Sequence, residues 1–177
     1  SRLKIERDDE LLAEVVAITE YPNAHLGSFD KEFLEVPKEV IITSMKENQR
    51  YFALLNNDGS LANRFVVVAN STSKDSALIV AGNEKVLRAR LSDAQFFWHS
   101  DLKNPFNAEK LKNITYLAGL GSVYDKELRE CEISVVLADI YSSELKTLGA
   151  SKELLKEAIM LSKADLATAM VYEFTDL

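Results

Sequence analysis

The longest regular pattern in the sequence spans residues 82–101 and reads GNEKVLRARLSDAQFFWHSD. Residues of one helical face recur there at the spacing i, i+4, i+7 and i+11: Leu87, Leu91, Ala94 and Trp98. This spacing predicts a long amphipathic helix with an aromatic C-terminal end. Asn104-Pro105 is expected to end the helix, because the residue before a proline is pushed out of the helical region.

Two strands are predicted upstream of this helix. Tyr51–Leu55 and Phe65–Ala69 are rich in strand-forming residues, and Asn56–Gly59 between them is a strong turn signal. Because Phe65–Ala69 is apolar on both faces, we expect it to be an interior strand of a small sheet.

Two further helices are predicted in the same N-terminal part. The first covers residues 8–19 and leads into a loop that runs through Gly27-Ser28. Its predicted apolar face consists of Leu12, Val15, Val16 and Thr19. The second begins at Pro37, a favoured residue in a first helical turn. Its β-branched run, residues 40–43, would also suit a strand, but Pro37 and Glu39 favour the helix.

Strand signals fade after Pro105. We predict a short helix at residues 107–113, a loop at 114–121, and longer helices at 123–145 and 152–172. The predicted core stripe of the first long helix consists of Leu128, Ile133, Val136, Leu137 and Ile140. The predicted fold class is therefore α+β: an α+β domain over residues 1–104 with a small sheet, then an all-helical domain over 105–177.

Composition excludes several classes of protein. With 47% hydrophobic and 28% charged residues, the chain is expected to fold and not to be disordered. Its longest apolar run, Phe65–Ala69, is far shorter than the ~20 residues of a membrane span. No leader opens it and its one cysteine, Cys131, cannot form an internal disulfide, so we expect a cytoplasmic protein without membrane contact. The net charge of −7 argues against nonspecific coating of nucleic acid and confines any RNA contact to a local basic surface.

Candidates for metal, thiol or phosphate chemistry are weak. His25 and His99 lack ligand spacing and are expected to be surface or loop residues. Cys131 lies among acidic residues, which oppose its thiolate, so a packed thiol is expected. Gly119-Leu120-Gly121 lacks the Lys-Ser/Thr that would complete a phosphate loop, and a tight turn is the simpler interpretation.

A basic cluster on the long helix has a clearer interpretation. Lys85, Arg88 and Arg90 project from its non-core sides. Upstream, Lys46 and Arg50 flank Tyr51-Phe52, and basic residues beside aromatic rings can hold a nucleic-acid backbone and stack on bases. The alternative is a solvated face, in which Glu84 and Arg88 form a favourable i, i+4 pair.

Four blocks of sequence carry a family resemblance. They are residues 45–52 (MKENQRYF), 82–98 (GNEKVLRARLSDAQFFW), 120–126 (LGSVYDK) and 162–174 (SKADLATAMVYEF). In order and spacing they resemble the β subunit of the bacterial heterotetrameric glycyl-tRNA synthetase, from about Asp9 to the last residue.

The resemblance implies an internal piece of a longer subunit. Its first part would be similar to the B3/B4 domains of phenylalanyl-tRNA synthetase, and its second to the start of an HD-like helical domain. The family enzyme joins glycine to its tRNA with ATP and magnesium at an adenylation site on the α subunit, while β supplies tRNA binding. The implied partners are the α subunit, glycine tRNA and the rest of the β chain. No catalytic residue, cofactor or metal is expected in this piece.

Three departures from the family pattern stand out. Asn48 occupies a position where relatives commonly have His, and Ala118-Gly119 replaces a more polar pair that would make a backbone contact. Hydrolytic HD domains bind metal through a His-Asp pair, which here is Ala164-Asp165. A lone Asp165 is a poor metal site, so we expect a scaffold or RNA-contact surface and not a phosphohydrolase.

The family resemblance and the basic residues together give a site hypothesis. We expect five cations to face RNA or to order the β subunit around it: Lys85, Arg88, Arg90, Lys126 and Arg129. Arg88 or Arg90 could equally lock the helix to the α+β part. The leading interpretation is a tRNA-binding and structural segment, and the alternative is a subunit-interaction scaffold without direct RNA contact. A metal-dependent hydrolase is disfavoured.

Overall fold

The computed structural model describes residues 3–72, 75–104 and 106–177. The chain forms two compact units, one of residues up to His99 together with Phe174–Leu177, the other of Ser100–Glu173. The domain limits 1–104 and 105–177 stay a prediction, and Pro105, expected to end the long helix, lies outside the described residues.

The first unit contains a four-stranded antiparallel sheet in the order β1-β3-β4-β2. Its strands are β1 (Lys4–Ile5), β2 (Pro22–Ser28), β3 (Phe52–Leu55) and β4 (Leu61–Asn70). β4 pairs with both β2 and β3, which confirms the predicted interior strand. Its central residue Phe65 is fully buried.

β2 occupies part of the predicted loop, so that prediction was wrong. Its sequence, PNAHLGS, has little strand propensity, but it pairs with β4 from Pro22 opposite Asn70 to Ser28 opposite Arg64. Gly27 lies directly opposite Phe65, and a Cβ atom there would be 2.3 Å from the Phe65 ring. Glycine is therefore required at this position to let the ring fill the space.

Two helices precede the second half of the sheet. α1 (Asp9–Ile18) begins at Asp8, whose carboxylate accepts a hydrogen bond from the Leu11 amide at 2.8 Å. α1 buries Leu11 and Val15, so the prediction of its buried face was only partly right. Leu12 and Val16, which were expected on that face, are 50% and 67% exposed.

α2 (Lys38–Gln49) follows Pro37 and confirms the helical interpretation of its β-branched run. Arg50 ends α2 in the left-handed conformation (φ 57°). A short 3₁₀ helix (Lys31–Glu35) lies between β2 and α2.

α3 (Ser76–Lys103) is the predicted long helix, and it begins before the sequence pattern, which starts at Gly82. Leu87, Leu91 and Ala94 are fully buried, as the spacing predicted, and Trp98 is partly buried. Among the described residues, no helix is both long and apolar enough to cross a membrane.

The second unit is mostly helical. Its elements are a 3₁₀ helix (Ala108–Asn113), β5 (Thr115–Leu117), β6 (Gly121–Ser122), α4 (Val123–Ile140), α5 (Ser142–Thr147), α6 (Lys152–Leu161), a 3₁₀ helix (Ala164–Ala167) and α7 (Ala169–Glu173). β5 and β6 pair as a small hairpin where a loop was predicted, so this part is not all-helical. The α+β class is confirmed.

The packing of α4 departs from the predicted core stripe. Its residues on the inner side are Val123, Glu127, Ser134 and Ala138, all buried. The predicted stripe was wrong, because each of its residues is at least 44% exposed: Leu128, Ile133, Val136, Leu137 and Ile140. α6 packs against α4 in this unit.

Two glycines should respond oppositely to alanine. Gly27→Ala forces a methyl group against the buried Phe65 ring and should destabilise the fold by about 1–3 kcal/mol. Gly82→Ala, inside α3 with open space around the new methyl, should stabilise it by about 1 kcal/mol through helix propensity. Denaturant melts of both variants test this, and equal responses would contradict the close approach at Gly27.

Candidate nucleic-acid interface

The three cations predicted on the long helix do not share one surface. At 3.6 residues per turn, Lys85 and Arg88 lie about 60° apart around α3, whereas Arg90 is about 160° from Arg88. Arg88 and Arg90 therefore flank the buried stripe on opposite sides. All three side chains are exposed.

Arg88 holds α3 to the segment after β2. Its Nη1 lies 2.8 Å from the Asp30 carboxylate. The predicted Glu84–Arg88 pair is replaced by contacts to the end of β2: Glu84 accepts hydrogen bonds from the amide and hydroxyl of Ser28, at 2.7 and 2.8 Å. Within the described part of the chain, the side chains of Lys85 and Arg90 have no ion-pair or hydrogen-bond partner.

The upstream basic residues serve to join α1 and α2. Lys46 lies 3.0 Å from the Asp8 carboxylate and 3.2 Å from that of Glu10. Hydrogen bonds to these two acids raise the pKa of Lys46, so its charge is firmly held. Arg50 Nε lies 2.5 Å from the Glu14 carboxylate. Both cations are thus engaged within the unit.

The aromatic pair beside these cations belongs to the core. Tyr51 and Phe52 are 3% and 8% exposed, so neither ring offers a free face to a base. Tyr51 stacks on Phe65 with ring centroids 4.7 Å apart, and its hydroxyl donates to Asn83 Oδ1 at 2.6 Å. Burial raises the pKa of Tyr51 to about 12. Stacking on bases, one of the two interpretations of this basic and aromatic pattern, does not fit the burial of these rings.

The last two predicted cations lie on the first turns of α4. Lys126 pairs with Glu130 at 2.5 Å, and its ammonium lies 5.9 Å from the Tyr116 ring. Arg129 is exposed, and no hydrogen bond or ion pair engages its guanidinium within the described residues.

The hairpin before α4 forms a polar and aromatic surface that the sequence hypothesis did not include, with Lys112 ion-paired to Glu109. An open cavity of about 430 Å³ lies there, lined in part by Lys112, Gly119, Ser122 and Tyr124. The Lys112 ammonium sits 4.6 Å from the Tyr124 ring centroid, within cation–π range. The available signal in the sequence was the pair of tyrosines, Tyr116 and Tyr124, with Lys112 before them and Lys126 after them.

The LGSVYDK block has a local structural role at this hairpin. Ser122 and Asp125 form a capping box that begins α4: the Ser122 hydroxyl and amide donate to Asp125 at 2.7 and 2.8 Å, and the Asp125 amide donates back at 3.2 Å. These hydrogen bonds, led by the one from the Ser122 amide, lower the pKa of Asp125. Gly121 has φ +87°, and a Cβ atom there would be 2.5 Å from the Asp125 carboxylate.

The candidates for metal and thiol chemistry are dispersed. His25 is buried in β2, not on the surface as predicted, and its Nδ1 lies 2.8 Å from Ser76 Oγ. His99 Nε2 lies 3.0 Å from the Glu35 carboxylate. Burial raises the pKa of the Cys131 thiol, and nearby glutamates add to this, as expected for a packed thiol. Asp165 is exposed, and in residues 3–72, 75–104 and 106–177 no three His, Cys, Asp or Glu side chains are placed to ligate one ion.

Comparison with known proteins identifies the family. A family model described as glycyl-tRNA synthetase beta subunit matches residues 1–177. The chain belongs to the glycyl-tRNA synthetase beta subunit family.

Curated relatives agree with this assignment. A protein of Helicobacter pylori (strain Shi470), named glycine–tRNA ligase beta subunit, is 51% identical over 99% of this chain and 26% of its own length. Proteins of the same name from Syntrophotalea carbinolica and Pseudomonas putida (strain W619) are 43% and 45% identical, over 98% and 94% of this chain and 25% and 24% of their own lengths. The chain thus spans about a quarter of the relatives it matches.

One buried acid in this family member lacks a full set of partners. Glu127 of α4 is fully buried, and its Oε1 receives a long hydrogen bond from Ser162 Oγ at 3.3 Å. Its Oε2 has no partner among the described residues. Burial raises the pKa of Glu127, because the charged form is poorly solvated there.

Glu127→Gln should therefore stabilise the protein at neutral pH. The folded state binds the Glu127 proton more tightly than the unfolded state does. The free energy of unfolding therefore falls as the pH rises from the ordinary glutamate pKa through the raised pKa of the folded state. The neutral amide should raise the unfolding free energy by about 1 kcal/mol near pH 7.5 and give no gain near pH 4.

Thermal melts at several pH values measure this effect. Glu132→Gln, at an exposed position of the same helix, is the matched control and should change little at any pH. A stabilisation by Glu127→Gln that is equal at both ends of the pH range would rule out titration of Glu127 as its cause.

Proposed function

We propose that this chain is a tRNA-binding and structural segment of a glycine–tRNA ligase β subunit. In this role it supports the ATP-dependent attachment of glycine to its tRNA in the cytoplasm. The observation that carries the proposal is the family match over all 177 residues, together with relatives named glycine–tRNA ligase beta subunit.

The proposal divides the chemistry between subunits. Adenylation of glycine, with ATP and magnesium, is assigned to the α subunit, and this chain contributes no catalytic residue. The exposed, lone Asp165 does not fit a metal centre of the HD type, and no step is assigned to a metal here. The partners are the α subunit, glycine tRNA and the rest of the β chain.

Free cations support direct contact with RNA. Proteins position tRNA largely through its phosphates, and arginine binds phosphate with two parallel hydrogen bonds. Lys85 and Arg90 are exposed and have no ion-pair or hydrogen-bond partner within the described residues, so each can reach a phosphate without breaking an internal ion pair. Arg129 is also exposed, but its charge already acts on Asp125, whose pKa it helps to lower. Arg88 and Lys126 would have to share their charge with Asp30 and Glu130.

The alternative function is a subunit-interaction scaffold without RNA contact. Two observations favour it: the cations Arg88, Lys46 and Arg50 are engaged inside the first unit, and α4 exposes large apolar side chains. Stable capture of the α subunit by a chain that does not bind glycine tRNA would establish this alternative.

Charge reversal at the free cations tests the RNA proposal. Lys85→Glu and Arg90→Glu should each weaken binding of glycine tRNA and lower the slope of log affinity against log salt by about 1, as expected for a lost phosphate contact. Lys31→Glu, an exposed lysine outside the predicted set, is the matched control. Titrations of labelled tRNA at several salt concentrations give both quantities, and salt slopes unaffected by either variant would contradict the proposal.

Arg88→Glu separates a structural from an RNA-binding role. Its ion pair with Asp30 is largely exposed to solvent, so we expect its loss to lower stability by only about 1 kcal/mol. A variant that melts cooperatively yet binds tRNA more weakly places Arg88 at the RNA surface. Loss of the melting transition would instead show that Arg88 holds α3 in place.

A further inference from the structure

Helix α4 turns its more apolar face to solvent. Four large aliphatic side chains form a stripe at i, i+3, i+4 and i+7, and they are 59%, 60%, 47% and 65% exposed: Ile133, Val136, Leu137 and Ile140. We call these four residues the outer stripe. The buried residues of the same helix are Val123 at its start and then Glu127, Ser134 and Ala138, which are polar or small. This arrangement is the reverse of an ordinary amphipathic surface helix.

Burial of the outer stripe against a partner would be energetically favourable. Apolar side chains left in water forgo the stabilisation that burial would give each of them. Contiguous apolar surface flanked by polar residues is typical of an interaction site in soluble proteins. The spacing i, i+3, i+4, i+7 is the one by which a helix presents its face to another helix.

Charge at one end of the outer stripe restricts what can lie on it. Arg129 precedes Ile133 by four residues and Val136 by seven, and Lys126 precedes Ile133 by seven, so both cations lie on the same side of α4 as the stripe. Aliphatic side chains offer neither stacking nor hydrogen bonds to RNA, so the stripe itself fits a protein partner. Lys126 is paired with Glu130, so the charge left for a partner at this end is that of Arg129, which acidic residues would complement.

We propose that the outer stripe seats an amphipathic helix from a further part of the same β-subunit polypeptide, outside residues 1–177. The matched region makes up 26% of the Helicobacter pylori relative, so most of such a subunit is available to supply this helix. A segment joined through the same chain also has a high effective concentration at the stripe. The helix carries apolar residues at the matching spacing and acidic residues beside Arg129. This proposal rests on family membership alone and not on RNA binding.

Photo-crosslinking in the full-length β subunit, purified with and without its α subunit, identifies the occupant. A benzophenone amino acid replaces Val136 in the stripe or, as a control, Glu157 at an exposed position of α6. We expect the Val136 position to give an intrachain product, without change in mass on a denaturing gel, that maps beyond residue 177 to a helix with the stated pattern. A product with α, a product with a second copy of β, or no product at all would overturn the proposal.

Hydrogen exchange gives an independent readout. In the full-length subunit, Val136→Asp should raise amide exchange across residues 133–140 by about tenfold or more, because a charge in a covered interface opens it. In the 177-residue chain, where nothing covers the stripe, the same substitution should leave exchange within about twofold of the parent. Glu132→Gln on the same helix controls for local helix propensity. Equal effects of Val136→Asp in both proteins would overturn the proposal.

Discussion

The hydroxyl of one buried tyrosine ties together the first unit of this protein. Tyr51 stacks on Phe65 at the centre of the sheet and donates a hydrogen bond to Asn83 of α3. The ring fixes the position at which β3 begins, and the hydroxyl fixes the position of α3 along its axis. A buried hydroxyl without its acceptor would be costly, so α3 cannot slide without breaking this contact. Lys85 and Arg90 are exposed because Leu87, Leu91 and Ala94 occupy the buried side of the same helix.

Ion pairs in the first unit serve mainly to join elements. Lys46 and Arg50 connect α2 to α1, and Arg88 connects α3 to the segment after β2. These contacts explain how an acidic chain with several basic residues leaves only a few of them free. A nucleic-acid surface on such a protein depends on those few cations, and each should contribute a measurable share of the salt dependence.

The sequence predicted those parts of the structure that depend on local periodicity. The buried stripe of α3 and the turn between β3 and β4 could be recognised because their signals lie within a few residues. β2 could not be recognised, because its sequence has little strand propensity. It is stabilised as a strand by pairing with β4, more than thirty-five residues away in the sequence. The same limit applied to the site: the charge of Arg88 is visible in the sequence, but its partner Asp30 is brought near only by the fold. On α4 the apolar period was correctly recognised, whereas the side of the helix that is buried depends on neighbours and not on period.

The order of strands in the sheet has a consequence for how the chain folds. Within the described four-stranded sheet, only β3 and β4 are joined by a short turn, whereas β1 pairs Lys4 with Leu55 and β2 pairs Pro22 with Asn70. Closing such long loops loses chain entropy before any contact is gained. We therefore expect the β3–β4 hairpin and the long helix α3, whose contacts are local, to form the folding nucleus. β2 then adds along residues 64–70 of β4, and the two-residue β1 adds last. The N-terminal strand is accordingly the first part of the sheet to open when the protein fluctuates.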